Sequence, residues 1–230
     1  MLVPLMISQR HMTTAQLTSW RQMEKHLLCM PHAFSIFPSC ICSFRFTRMQ
    51  STSMRVDVCV HFGCLTLVGE STRMPLRYHQ NNVAGTLNLM EVLEKHGVRE
   101  IVFSSSAAVY GDAPQPRGPD GRWGGLTESS RVGQGIATAY ARSMLMVEQV
   151  LEDLHKSPAG KSWGIMILRY FSPVAAHPSG RIGEDPTRPP NNLLPYVAQV
   201  AVGRRDFLTV FGDDYETHDG TLARDYIHVM

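Results

Sequence analysis

The sequence predicts an α/β fold with a mainly parallel, doubly wound sheet. Three observations point there. Short β-rich apolar runs recur along the chain, longer segments with helical spacing separate them, and Gly, Pro and Ser collect at the junctions. The first run, Asp57 to Phe62, stops at Gly63, as a buried parallel strand does. Tyr78 to His96 then carries Val83, Leu87, Leu89, Met90, Val92 and Leu93 at helical spacing. It closes on Lys95, His96 and Gly97, a cationic last turn followed by a helix-ending glycine. Ile101 to Phe103 reads as a second strand running into Ser104, Ser105 and Ser106. Ala113 to Ala137, rich in Gly, Pro and Ser, reads as a long loop. A helix from about Thr138 to Lys156 follows, with Tyr140, Met144, Val147, Leu151 and Leu154 on one stripe. Trp163 to Leu168 is the third strand, ending at Arg169, Tyr170 and Phe171.

The chain has 230 residues and a formal net charge of +2, enough length for one substantial α/β domain. Lys and Arg are not clustered, which argues against nucleic acid as a partner. Composition shifts sharply near residue 53. Met1 to Ser53 has no Gly, and its one acidic residue is Glu24, against Arg10, Arg21, Lys25, Arg45 and Arg48. Residues 1–53 are therefore expected to be an extension unrelated to the rest. An organelle-targeting peptide is the next reading. A membrane span across His26 to Phe44 is interrupted by Pro31 and Pro38, and Cys40 with Cys42 forms a C-x-C pair without the partners a metal site needs. No metal site and no membrane association are expected.

In doubly wound sheets, ligands sit beyond the carboxyl ends of the strands, where Phe62, Ser106 and Tyr170 fall. A Ser just past a strand and a Tyr opening the next helix suit alcohol oxidation. The phenol exchanges the hydroxyl proton while a cofactor takes hydride. A Lys four residues after Tyr140 would lie on the same helix face and favour the phenolate, but position 144 is Met. On spacing alone, Ser106 also reads as a polar strand end and Tyr140 as a core residue. Tyr170 and Phe171 read as packing or as stacking platforms. Asn191 and Asn192 read as a cap or as polar ligand contacts, and Arg224 as a solvated side chain or a phosphate grip. No Gly precedes Gly63, so the glycine fingerprint of a dinucleotide site is absent.

Several stretches together resemble UDP-glucose 4-epimerase, of the extended short-chain dehydrogenase/reductase type. They include Val58-Cys-Val-His-Phe62, Val68-Gly-Glu-Ser71, Asn81-Asn-Val-Ala-Gly-Thr86, Phe103-Ser-Ser-Ser-Ala-Ala-Val-Tyr-Gly-Asp112 and Leu168-Arg-Tyr-Phe-Ser-Pro173. Ala176 to Gly180, Gly183 to Pro186, Pro190 to Arg205 and Arg224 to Val229 continue the match in family order. The resemblance implies a partial Rossmann-type sheet lacking its first βαβ unit, with the start of a smaller substrate-binding domain. Residues 54–175 would form the first part and 176–230 the second. It implies an NAD-dependent isomerase of galactose metabolism, interconverting UDP-glucose and UDP-galactose through a 4-keto intermediate. Tyr140 would be the base and Ser106 its hydrogen-bond partner. Phe62, Thr66, Asn81, Tyr140, Met144 and Tyr170 would stand at cofactor positions. Ser104, Ser105, Ser106, Phe171, Ser172, Asn191, Asn192, Leu193, Thr209, Val210, Phe211 and Arg224 would face substrate. A cytoplasmic homodimer pairing the helices at 78–96 and 138–156 is implied as well. The chain departs from the family pattern where Met144 and Thr66 replace lysines, Gly63-Cys64 replaces Ala-Gly, and Ser172 replaces Asn. Those departures keep a second reading open: a non-catalytic relative, or an incomplete gene product that at most pairs with a full-length subunit.

Overall fold

The structure is a computed structural model describing residues 56–112, 125–184, 190, 192–210, 212–215, 217–222 and 224–230. The expectation for residues 1–53 lies outside them. The described residues fall into two compact units, one up to Tyr170 and one from Phe171 onward.

The first unit is a three-stranded parallel sheet in the order β1 (Val58–His61), β2 (Glu100–Ser106), β3 (Gly164–Tyr170). Between β1 and β2 come α1 (Val68–Arg73), α2 (Pro75–Tyr78), a π-helical turn at His79–Ala84 and α3 (Gly85–Lys95). Between β2 and β3 come a 3₁₀ turn at Ala107–Tyr110, α4 (Ala139–Lys156) and a second 3₁₀ turn at Ala159–Ser162. The α/β class and the parallel sheet expected from the sequence are what the chain adopts.

Side-chain spacing explains the helices. In α3, Thr86, Leu89, Met90 and Leu93 are buried, a single stripe of helical period. Its end is a Schellman turn. Gly97 takes φ 72°, its N–H donates to the Glu94 carbonyl, and Val98 N–H donates to the Leu93 carbonyl. Thr138 caps α4 by accepting from Ala141 N–H at 3.2 Å. Met144, Val147 and Leu151 of α4 join Leu89, Leu93, Ile101, Phe103 and Trp163 in one core between helices and sheet.

Two sequence expectations change in detail. The helix foreseen as continuous from Tyr78 to His96 contains the π-helical turn, which turns both Asn81 and Asn82 toward the loop after β1. The second strand runs on through Ser106, so the three serines alternate across the sheet instead of forming one polar end.

The second unit contains β4 (Ser172–Val174) paired parallel with β5 (Tyr226–His228), and α5 (Leu193–Ala201). Ala175, directly after β4, has φ 75°. Among the described residues, no helix is long and apolar enough to cross a membrane.

Candidate active site

Strand ends and helix starts bring the central pair together. Ser106 ends β2 in extended conformation, and its Oγ accepts from Ala108 N–H at 3.1 Å, fixing the hydroxyl at the opening of the 3₁₀ turn. Tyr140 is the second residue of α4, and its phenol lies near enough to Ser106 for that hydroxyl to favour the phenolate. Burial raises the Tyr140 phenol above its ordinary range. The Ser106 hydroxyl pulls the other way, and nearby Cys64 adds to the rise. The pair is thus a protonated phenol beside a hydroxyl at neutral pH. Burial also pushes the Cys64 thiol up to about 12, which removes it as a nucleophile.

Met144, one turn after Tyr140 on the same stripe, is 1 % exposed and packs in the core. It offers Tyr140 neither a positive charge nor a hydrogen-bond donor. Tyr170 pairs in register with Ser106 across the sheet, and burial raises its phenol too. Phe62 is open, at 58 % exposure, just past β1. Thr66 is exposed in the same loop. Asn81 is half-buried, and its amide donates to the Gly63 carbonyl at 3.3 Å.

Strand alternation separates the three serines. Ser104 and Ser106 share one face, whereas Ser105 is buried on the helix side, where its hydroxyl donates to Glu148. A substrate-facing role for Ser105 therefore does not fit its position. In the second unit, Phe171 is half-buried and Ser172 opens β4 opposite Tyr226. Asn192 occupies the N-cap position of α5 without a side-chain cap bond; its amide donates instead to Glu184 at 3.4 Å. Leu193 begins α5, and Leu193, Thr209, Val210 and Arg224 are exposed. Asn191 and Phe211 lie outside the described residues.

Sequence reasoning passed over several polar side chains around this site. Asn82, fully buried, accepts from Leu65 N–H at 2.8 Å. It donates to the Leu65 carbonyl at 3.1 Å and to Ser143 Oγ at 2.9 Å, tying the loop after β1 to α4. His61 Nδ1 accepts from Gly63 N–H at 3.3 Å, leaving Nε2–H to donate to Thr86 Oγ1 at 2.9 Å. Burial lowers this imidazole to about 4, so it is neutral at physiological pH. Glu148 is 1 % exposed and grips Arg169, from Nη2 to Oε2 at 2.7 Å and from Nε to both carboxylate oxygens at 3.1 Å. Burial works against the Arg169 charge, but hydrogen bonds to Glu148 and Tyr110 outweigh it and hold the guanidinium above its ordinary range. The available signal was a carboxylate inside the apolar stripe of α4, at Met144, Glu148 and Leu151.

The sequence profile of the NAD dependent epimerase/dehydratase family matches residues 37–230. The chain is 51 % identical over 175 residues to UDP-glucose 4-epimerase of Bacillus subtilis, covering 76 % of this chain and 48 % of that protein. It is 50 % identical over 176 residues to UDP-glucose 4-epimerase 2 of Arabidopsis thaliana, covering 76 % and 47 %. Among solved structures, UDP-glucose 4-epimerase from Bifidobacterium longum, in complex with NAD+ and UDP, superposes with a TM-score of 0.74 at 40 % identity. That superposition covers 94 % of this chain and 60 % of that one. The chain spans about half the length of the curated relatives it matches.

Proposed function

This chain belongs to the NAD dependent epimerase/dehydratase family, and on that premise we propose that it carries the alcohol-handling part of a UDP-glucose 4-epimerase site. The reaction is interconversion of UDP-glucose and UDP-galactose. The observation that carries this reading is the neighbourhood of Ser106, at the end of β2, and the Tyr140 phenol, at the start of α4, in a chain half identical to several UDP-glucose 4-epimerases.

The donor set of the first unit suits NAD at its reactive end. A phenol and a hydroxyl stand at the carboxyl ends of parallel strands, with the open face of Phe62 and the Asn81 amide at the loop after β1. NAD, when bound, supplies the hydride acceptor and returns the hydride; Phe62, Asn81, Tyr140 and Tyr170 are the residues we assign to hold it. Tyr140, in the fraction of chains where it is phenolate, accepts the C4 hydroxyl proton as the 4-keto sugar forms, and the phenol so made gives it back after the sugar has turned its other face. Ser106 donates to the same sugar oxygen and holds it against the phenol. Because folding raises the Tyr140 phenol, returning the proton is the easy direction and taking it is the hard one. Ser104, Phe171, Ser172, Asn191, Asn192, Leu193, Thr209, Val210, Phe211 and Arg224 are assigned to the UDP-sugar. Homodimers through α3 and α4 agree with the exposed apolar residues Leu87 (41 %) and Met146 (46 %) on those helices. We place the activity in the cytoplasm by the same reading.

The test is conversion of UDP-galactose to UDP-glucose by purified chain with added NAD, alongside Tyr140→Phe. Turnover that falls by about 100- to 10,000-fold in the variant supports the assignment; equal rates refute it. No turnover from the unmodified chain would favour a non-catalytic relative.

A further inference from the structure

The register of the sheet places two kinds of residue side by side. Ser106 pairs with Tyr170, and one step earlier Ser105 pairs with Arg169. The later step holds site residues. The earlier step holds the two partners of Glu148, which projects from α4 eight residues beyond Tyr140. Ser105 donates to Glu148 Oε1, and Arg169 donates to both carboxylate oxygens. Arg169 also reaches past Ser106 to the far side of the 3₁₀ turn. Its Nη1 donates to the Tyr110 hydroxyl at 3.3 Å, and its guanidinium lies 5.0 Å from the Tyr110 ring centroid. Ser106 is thereby bracketed: the residue before it is held by Glu148, and the turn after it is held by Arg169.

We propose that Glu148 is a positioning residue of the site, which through Ser105 and Arg169 sets the registry between the end of β2 and α4 and so holds Ser106 against Tyr140. This rests on the functional reading of that pair. A buried carboxylate with a bidentate guanidinium and a hydroxyl has its charge and lone pairs satisfied in one geometry only. Glu148 and Tyr140 share one helix, and Ser105 and Ser106 are consecutive. A shift of α4 against β2 therefore strains the clasp and the approach of Ser106 to Tyr140 together, and the clasp resists it. Misplacement of reacting groups by about 1 Å costs on the order of 100-fold in rate.

The experiment reads the contact itself at neutral pH and needs no turnover. Tyrosine labelled with ¹³C at Cζ reports phenol hydrogen bonding through its chemical shift, and Tyr140 is assigned by Tyr140→Phe. Ser106→Ala sets the shift of the lost contact. Glu148→Gln, and Ser105→Ala in case the first variant fails to fold, are expected to move the Tyr140 resonance at least half-way to that value. A resonance that moves with Ser106→Ala but stays put in folded Ser105→Ala and Glu148→Gln overturns the positioning role and leaves the pair standing. A resonance indifferent to Ser106→Ala removes the pair, and with it both this inference and the functional reading.

Discussion

One face of α4 carries two buried polar arrangements, and they are solved in opposite ways. At Glu148 a full charge is taken out of water with every partner supplied: a bidentate guanidinium, a hydroxyl, and a tyrosine behind the guanidinium. At Tyr140, two turns earlier, a phenol meets one hydroxyl and no opposite charge from its own helix face, because the intervening turn contributes Met144 to the core. The Glu148 end has its charge matched and the Tyr140 end has none to match it. Packing alone does not distinguish them, since Met144 and Glu148 are equally buried. The difference lies in charge. A fold tolerates a missing cation beside a group that can stay neutral, but tolerates no missing cation beside a buried carboxylate.

That contrast breaks most readily at its Glu148 end. Removing one member of a buried ion pair leaves the other charged and unpaired, so Arg169→Ala is expected to destabilise by about 3–5 kcal/mol. The double variant Glu148→Leu with Arg169→Met should lose less than that single change. Urea unfolding measures both. A double variant worse than Arg169→Ala would mean that the pair adds stability of its own.

His61 stands between the two extremes, satisfied but only when neutral. Its folded value of about 4 lies below the ordinary 6.5. As pH falls through 6.5 the unfolded chain gains a proton that the folded chain refuses, so stability is lost between 6.5 and 4 and levels off below 4. The loss reaches about 3 kcal/mol. Unfolding midpoints across that window should slope in the original chain and flatten in His61→Gln; equal slopes would remove His61 as the cause.

The Tyr140 end is sharpened by Met144→Lys. An ammonium one turn from the phenol should bring the Tyr140 titration down and raise turnover by at least about 100-fold, roughly 2.7 kcal/mol in the barrier. Equal rates and an unmoved phenol would show that position 144 has no part in the chemistry. The smallest effect belongs to the second unit, where Ala175 at φ 75° sits in a conformation that disfavours a side chain. Ala175→Gly is expected to stabilise by about 1 kcal/mol, read as a raised unfolding midpoint.

Local pattern made the framework legible. The three strands, the stripes of α3 and α4 and the glycine stop at residue 97 follow from spacing and turn chemistry within short windows. Ser106 and Tyr140 were open to a catalytic reading from their places at a strand end and a helix start, and only the family resemblance joined them as a pair. What escaped depends on contacts far apart in the chain. Ser105 and Glu148 are 43 residues apart, and Asn82 and Ser143 are 61. No window joins them. Ser105 was grouped with its neighbours by the family resemblance; with the strand running to Ser106, alternation separates the three hydroxyls. The helix after Asn192 was anticipated, but its N-cap residue spends its side-chain amide on Glu184 and not on the helix.

The π-helical turn at His79–Ala84 has a consequence for how this sequence can change its length. Each residue advances an α-helix by about 100°. A π-helical turn takes up one residue more than the α-helical turn it replaces, so deleting one residue there would restore an ordinary turn and leave α3 in phase with the segment before it. The change would be local: Asn81 and Asn82 would no longer both face the loop after β1, and the bonds that fasten that loop would be lost. The core stripe of α3 should therefore survive a one-residue deletion in this stretch, while the loop after β1 should not keep its anchorage.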